Sequence, residues 1–157
     1  MGGGFPCAAF GGRRDLMEQL APVGPVYQAG TLSGNPVAVV AGIAALDLAR
    51  TTDPYPALER AADTLIDGLG AAFAAKGIPA TINRSGSLFS VFFTGEPVTD
   101  FVGAQGADHE RYARFFHHLL DRGVALPPSG YELWTLGTAH GDAELERVLD
   151  AAGTFPG

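Results

Sequence analysis

Three stretches of this 157-residue chain combine residue types and spacings that could do chemistry. The first is Tyr27-Gln28-Ala29-Gly30-Thr31-Leu32-Ser33-Gly34-Asn35-Pro36. It places hydroxyls and backbone N–H groups just before a helix that Pro36 can open, where donors and the helix dipole favour an anion. A phosphate is the natural ligand, but Ser33 and Asn35 serve equally well as caps of that helix. The second is Pro127-Pro128-Ser129-Gly130-Tyr131-Glu132, followed by Gly137-Thr138-Ala139-His140. Glu132 stands beside Leu133 and Trp134; a carboxylate buried there needs a partner or a displaced pKa, whereas one at an exposed strand end, the commoner arrangement, needs neither. The third is Gly2-Gly3-Gly4-Phe5-Pro6 with Gly11-Gly12-Arg13 after it. Glycine clusters let a backbone pass close to a ligand or another chain, although two tight turns account for them more simply.

These stretches have to be positioned by the elements around them. Residues 1–35 are rich in glycine, are punctuated by Pro6, Pro22 and Pro25, and show no helical period beyond a short turn at Arg13–Leu20, so they predict strand, loop and extended arm. Asn35 as N-cap and Pro36 at the first helical position open a helix to about Ala49 that is apolar on all sides, the mark of a buried helix. Leu58, Ala62, Leu65, Ile66, Leu69 and Phe73 repeat at helical spacing until Gly77. Residues 78–84 and 87–94 predict two strands, and 95–107 a loop. Tyr112, Phe115, Phe116, Leu119 and Leu120 define a further helix with Gly123 as its left-handed cap. Val124–Leu126 and Glu132–Leu136 predict short strands around the Pro127–Gly130 turn, and Leu145, Val148, Leu149 and Ala152 a last helix ending at Gly153. Helices alternating with a small, mostly antiparallel sheet give an α/β chain of the α+β kind.

Composition narrows the chemistry. Hydrophobic residues make up 46% and charged residues 17% of the chain, which suits a globular protein. The net charge of −7 argues against a nucleic-acid or anionic-membrane partner, while leaving room for one small anion in a local nest of N–H groups. Cys7 is the single cysteine, so no internal disulfide forms, and it is read as a small, partly buried thiol. His109, His117, His118 and His140 lack metal-ligand spacing, and no metal site is expected. The apolar run from Pro36 to Leu48 is too short to span a bilayer, no leader is evident at Met1, and a cytoplasmic location is expected. Of the ten basic residues nine are arginine, so Lys76 is the only lysine.

Gly2–Pro6, Ala9-Phe10-Gly11-Gly12-Arg13, the run from Gly24 through Tyr27-Gln28-Ala29-Gly30-Thr31 to Pro36, Arg84-Ser85-Gly86-Ser87-Leu88-Phe89, and Gly123 through Pro128-Ser129 to Glu132 occur in this order in the glutamate-1-semialdehyde aminomutases. The chain resembles that family over essentially its whole length. Ser33-Gly34-Asn35-Pro36 is shared with class III aminotransferases at large, whereas Gln28–Thr31 and the Ser129-x-x-Glu132 segment are more specific. Cys7-Ala8, Gly130-Tyr131 and Leu133-Trp134 depart from the usual residues and keep other class III ω-aminotransferases in view.

The resemblance implies the C-terminal part of a fold-type I enzyme that uses pyridoxal 5'-phosphate, works as a homodimer on a small-molecule substrate, and makes 5-aminolevulinate for haem and chlorophyll. It implies residues 1–35 as the end of a large cofactor-binding domain, 36–53 as an interdomain helix and 54–157 as a small C-terminal α/β domain. It assigns Gly30 and Thr31 to the cofactor phosphate across the dimer, Tyr27 and Gln28 to its neighbourhood, and Glu132 to the substrate entrance. It also places the Schiff-base lysine, the aspartate for the pyridinium nitrogen and the aromatic stacking partner ahead of Gly2. Lys76, read as a solvated charge at a helix end, does not replace that lysine, so this chain alone is expected to be inactive. A rival from another class is a non-catalytic module that acts by dimerising.

Overall fold

The computed structural model describes residues 1–157, which divide into two compact units, Met1–Asp53 and Pro54–Gly157. Two helices, α1 (Arg14–Met17) and α2 (Pro36–Thr52), lie in the first unit. The start of α2 follows from its sequence. Pro36 has no N–H to satisfy, the Asn35 side chain accepts from the N–H groups of Val37 at 3.1 Å and Ala38 at 3.2 Å, and Val39 N–H donates to the Asn35 carbonyl. Asp53 at φ 41° ends the helix ahead of Pro54. Within this chain α2 is largely uncovered: only Ala38 and Gly42 are buried, and Val37, Val40, Ile43, Leu46 and Leu48 are each more than half exposed. The rest of the first unit is loops and the four-residue α1, which leaves it nothing bulky enough to cover four turns of helix.

The second unit contains α3 (Tyr55–Ala74), β1 (Thr81–Ser85), β2 (Leu88–Phe92), α4 (Phe101–Gln105), α5 (His109–Leu120) and α6 (Asp142–Gly153). The strands form an antiparallel hairpin in which Thr81 faces Phe92 and Ser85 faces Leu88, with Gly86 at φ 59° in the turn. Alternation along β2 and into the residue after it sends Phe89, Val91 and Phe93 into the main core, with Leu65, Leu69 and Phe73 of α3, Tyr112, Phe115 and Leu119 of α5, and Phe155. Phe115 is the hub. Its ring lies 5.4 Å from Phe73, 5.5 Å from Phe93 and 5.1 Å from Phe155, all edge-to-face, the arrangement aromatic quadrupoles favour. Phe92 points the other way, into a small cluster with Val98 and Ala104.

Two expectations are corrected here. The loop at 95–107 contains α4, capped by the Asp100 carboxylate, which accepts from Gly103 N–H at 2.8 Å. The strands expected at Val124–Leu126 and Glu132–Leu136 do not form: Trp134 makes one antiparallel bridge to Phe89 and the rest is irregular. Pro127 and Pro128 lack the N–H groups a ladder needs, and the Pro127 carbonyl is taken by the Tyr112 hydroxyl at 2.9 Å. No helix is long and apolar enough to cross a membrane.

Candidate functional site

In the first unit the backbone from Gly30 to Asn35 turns twice, with Ser33 N–H donating to the Gly30 carbonyl and Asn35 N–H to the Leu32 carbonyl. Gly34 takes φ +74°, a conformation that glycine adopts without penalty. A Cβ at Gly30 would come within 2.8 Å of the Ser33 Oγ, so that hydroxyl would have to rotate away. This double turn faces Phe5–Phe10 across an open cavity of about 950 Å³, whose wall includes Gln28, Gly30, Thr31, Ser33 and Asn35. Tyr27, also assigned to this neighbourhood, is not part of the wall and is 83% exposed.

The hydrogen bonds assign Asn35 its role in this stretch. The N-terminus of α2 has no donor to spare, because Asn35 takes the amides of Val37 and Ala38 with its side chain and that of Val39 with its carbonyl. Asn35 is thus a cap. The amides of Gly30, Thr31 and Leu32 and the hydroxyls of Thr31 and Ser33 have no acceptor within the chain. The donors left free at this stretch are therefore those of the turn ahead of the helix. Successive free N–H groups with flanking hydroxyls are the donor set that a phosphate dianion uses. Among the N-terminal glycines, Gly3 and Gly4 take φ +58° and +99° in a tight turn closed by Phe5 N–H donating to Gly2 O. Gly11 has no neighbour that a side chain would meet, so nothing within the chain requires glycine there.

Glu132 belongs to the second unit. It is exposed, its carboxylate has no hydrogen-bond or ion-pair partner in the chain, and only its backbone is held: Glu132 N–H donates to Ser129 O, and its carbonyl accepts from the Ser90 hydroxyl. Trp134 Nε1 donates to the Tyr112 hydroxyl at 3.2 Å in the buried layer beneath. Burial pushes the Tyr112 phenol above its ordinary value; the Trp134 donor opposes that shift and the negative Glu132 adds to it. His140, exposed, accepts Gly137 N–H on its Nδ1. Lys76 is exposed and its ammonium donates to the Phe155 carbonyl near the chain's end. Cys7 is half-buried against Gly42, where a Cβ would lie 2.9 Å from its Sγ. The wall at Phe5–Phe10 overlaps the glycine-rich stretch Gly2–Pro6 singled out in the sequence, whereas Ser90, the one hydroxyl in the apolar run Leu88–Phe93, escaped the residue patterns.

Comparison with known proteins gives this geometry a context. The class-III aminotransferase family matches residues 1–141. The glutamate-1-semialdehyde 2,1-aminomutase of Myxococcus xanthus is 51% identical over 152 residues, which are 97% of this chain and 35% of that protein. An aminomutase of the same name from Thermus thermophilus is 50% identical over 154 residues, 98% of this chain and 36% of that protein. The chain therefore spans about a third of the length of the curated relatives it matches. Among solved structures, an omega-transaminase from Sphaerobacter thermophilus superposes with a TM-score of 0.78 at 27% identity, over 99% of this chain and 36% of that one. A β-phenylalanine aminotransferase from Variovorax paradoxus gives 0.75 at 29%, over 92% and 34%. A transaminase with pyridoxal phosphate bound gives 0.71 at 25%, over 92% and 33%. The mixed helix-and-strand architecture is that of the matching third of these transaminases.

Proposed function

The chain belongs to the class-III aminotransferase family, and from that premise we propose that it is the C-terminal portion of a glutamate-1-semialdehyde 2,1-aminomutase, which makes 5-aminolevulinate for tetrapyrrole synthesis. The observation that carries this reading is identity of 47–51% to aminomutases along 97% of the chain, against 25–29% to the transaminases of similar fold. In this reading residues 1–35 end the large domain, 36–53 form the interdomain helix and 54–157 the small domain. The exposed apolar residues of α2 agree with a helix that packs against a larger body.

The turn from Gly30 to Ser33 fits the phosphate of pyridoxal 5'-phosphate. The free amides of Thr31 and Leu32 and the Thr31 hydroxyl would hold the phosphate oxygens. The cofactor, when bound, supplies the exchangeable amine and the electron sink. In a homodimer Gly30 and Thr31 serve the site of the opposite subunit, and Gln28 borders it. Glu132, exposed and unpaired, accepts hydrogen bonds from the substrate's amino groups at the entrance. Lys76, engaged with Phe155, takes no part, and the Schiff-base lysine lies outside these 157 residues, so the chain has no turnover by itself. The protein acts in the cytoplasm.

The test joins this chain behind the preceding residues of the Thermus thermophilus relative and supplies glutamate-1-semialdehyde. Formation of 5-aminolevulinate without an added amino acceptor is expected. Release of a keto product that depends on an acceptor would identify an aminotransferase instead, and a dimer that never turns over would favour a non-catalytic module.

A further inference from the structure

Residues 127–134 have no regular secondary structure, yet they are tied down at both ends and in the middle. The Tyr112 hydroxyl donates to the Pro127 carbonyl at 2.9 Å and accepts from Trp134 Nε1 at 3.2 Å, so one oxygen bridges both ends of the segment. Trp134 N–H donates to the Phe89 carbonyl at 2.7 Å. Gly130 packs against His109 and Tyr112, where an added Cβ would sit 3.1 Å from His109 Nδ1 and 3.2 Å from the tyrosine ring. The Tyr131 ring stacks on His109 with centroids 4.3 Å apart. At the centre, the Ser90 Oγ donates to the Glu132 carbonyl at 3.1 Å.

Ser90 is the revealing member. It is the only polar or charged residue in the buried set, 6% exposed within an otherwise apolar strand. A buried hydroxyl needs a partner, and this one gives its proton to the peptide carbonyl of Glu132. The outcome is an asymmetry within one residue: the Glu132 backbone is held from two sides while its carboxylate is exposed and unpaired. A loop merely crossing the surface needs no anchor of this kind, whereas a carboxylate that must meet a ligand at one fixed point does.

We infer that Ser90 and Tyr112 are positioning residues that fix the loop carrying Glu132, so that its carboxylate is presented in one place to a cationic amino group of the substrate. This rests on the role given to Glu132 above. Ser90 sets the position of its carbonyl, and Tyr112 sets the span of the loop by clamping its ends. Neither touches substrate. Both act through Glu132.

The experiment has two arms. In the 157-residue chain, amide hydrogen exchange at Tyr131, Glu132 and Trp134, whose N–H groups are hydrogen-bonded, should rise about tenfold in Ser90→Ala and in Tyr112→Phe, the scale expected for loss of one anchoring hydrogen bond. Amides of α3 should be unchanged in Ser90→Ala. In the joined enzyme, Ser90→Ala should raise KM more than it lowers kcat, and it should add little to Glu132→Gln in the double variant. Unchanged exchange in both variants overturns the inference, and so does an additive double variant or a Glu132→Gln enzyme with unaltered kinetics. If the unsubstituted joined enzyme makes no 5-aminolevulinate, the functional reading fails by itself; the exchange arm needs no turnover and still decides whether the two hydroxyls hold the loop.

Discussion

Removing one oxygen from Tyr112 should destabilise the second unit by about 1–3 kcal/mol, because Tyr112→Phe orphans the buried indole N–H of Trp134 and the Pro127 carbonyl together. The ring stays, so the loss of packing is small. Trp134 is the only tryptophan, which makes its emission a specific reporter in a urea titration of the whole chain. The substitution carries a second, independent signature in pH. Burial raises the Tyr112 phenol above its ordinary value of 10.0, so the folded protein keeps that proton to a higher pH than the unfolded chain does. The resulting stability is fully present below about pH 10 and is lost as pH rises through the folded value. Phenylalanine has no proton to lose. The gap between the two proteins should therefore be constant near neutrality and should narrow above about pH 10. A gap below about 0.5 kcal/mol at pH 7 would refute the bridging role of this hydroxyl, and a gap that does not change with alkaline pH would refute the burial that holds its proton.

Other parts of the structure give expectations of similar sharpness. Phe115→Ala removes the hub of the aromatic core and should cost about 3–5 kcal/mol, measurable in the same titration. Asn35→Ala frees the amides of Val37 and Ala38 and should weaken α2 by about 1 kcal/mol, seen as faster amide exchange confined to its first turn. Pyridoxal phosphate followed by borohydride should leave no stoichiometric adduct on the 157-residue chain by mass analysis, since Lys76 is engaged with Phe155 outside any cofactor cavity; a full adduct at Lys76 would contradict that placement.

Much of the second unit was legible because its signals are periodic and redundant. The spacing from Leu58 to Phe73 gave α3, the aromatic face of Tyr112, Phe115 and Phe116 gave α5, and Gly77 and Gly123, at φ 65° and 76°, ended both where glycine is suited to do so. The strands expected around Pro127 and Pro128 failed because short apolar runs satisfy strand and coil patterns alike, and side-chain anchors from Tyr112 and Ser90 replaced the ladder. Helix α4 escaped because five residues with a central glycine hold no period. At the site, the residues from Gln28 to Asn35 were recognisable as a group, but whether Asn35 served a helix or an anion depended on which amides it reached. Apolar composition, in turn, could not say whether α2 is covered within this chain.

The most direct test of the central claim is pyridoxal phosphate affinity of the joined enzyme with and without Thr31→Val. The substitution keeps the shape of the side chain and removes one donor to a charged group, so the dissociation constant should rise about tenfold or more, with the unfolding midpoint of the apo form unchanged. An unaltered dissociation constant would contradict the assignment of the Gly30–Ser33 turn to the cofactor phosphate.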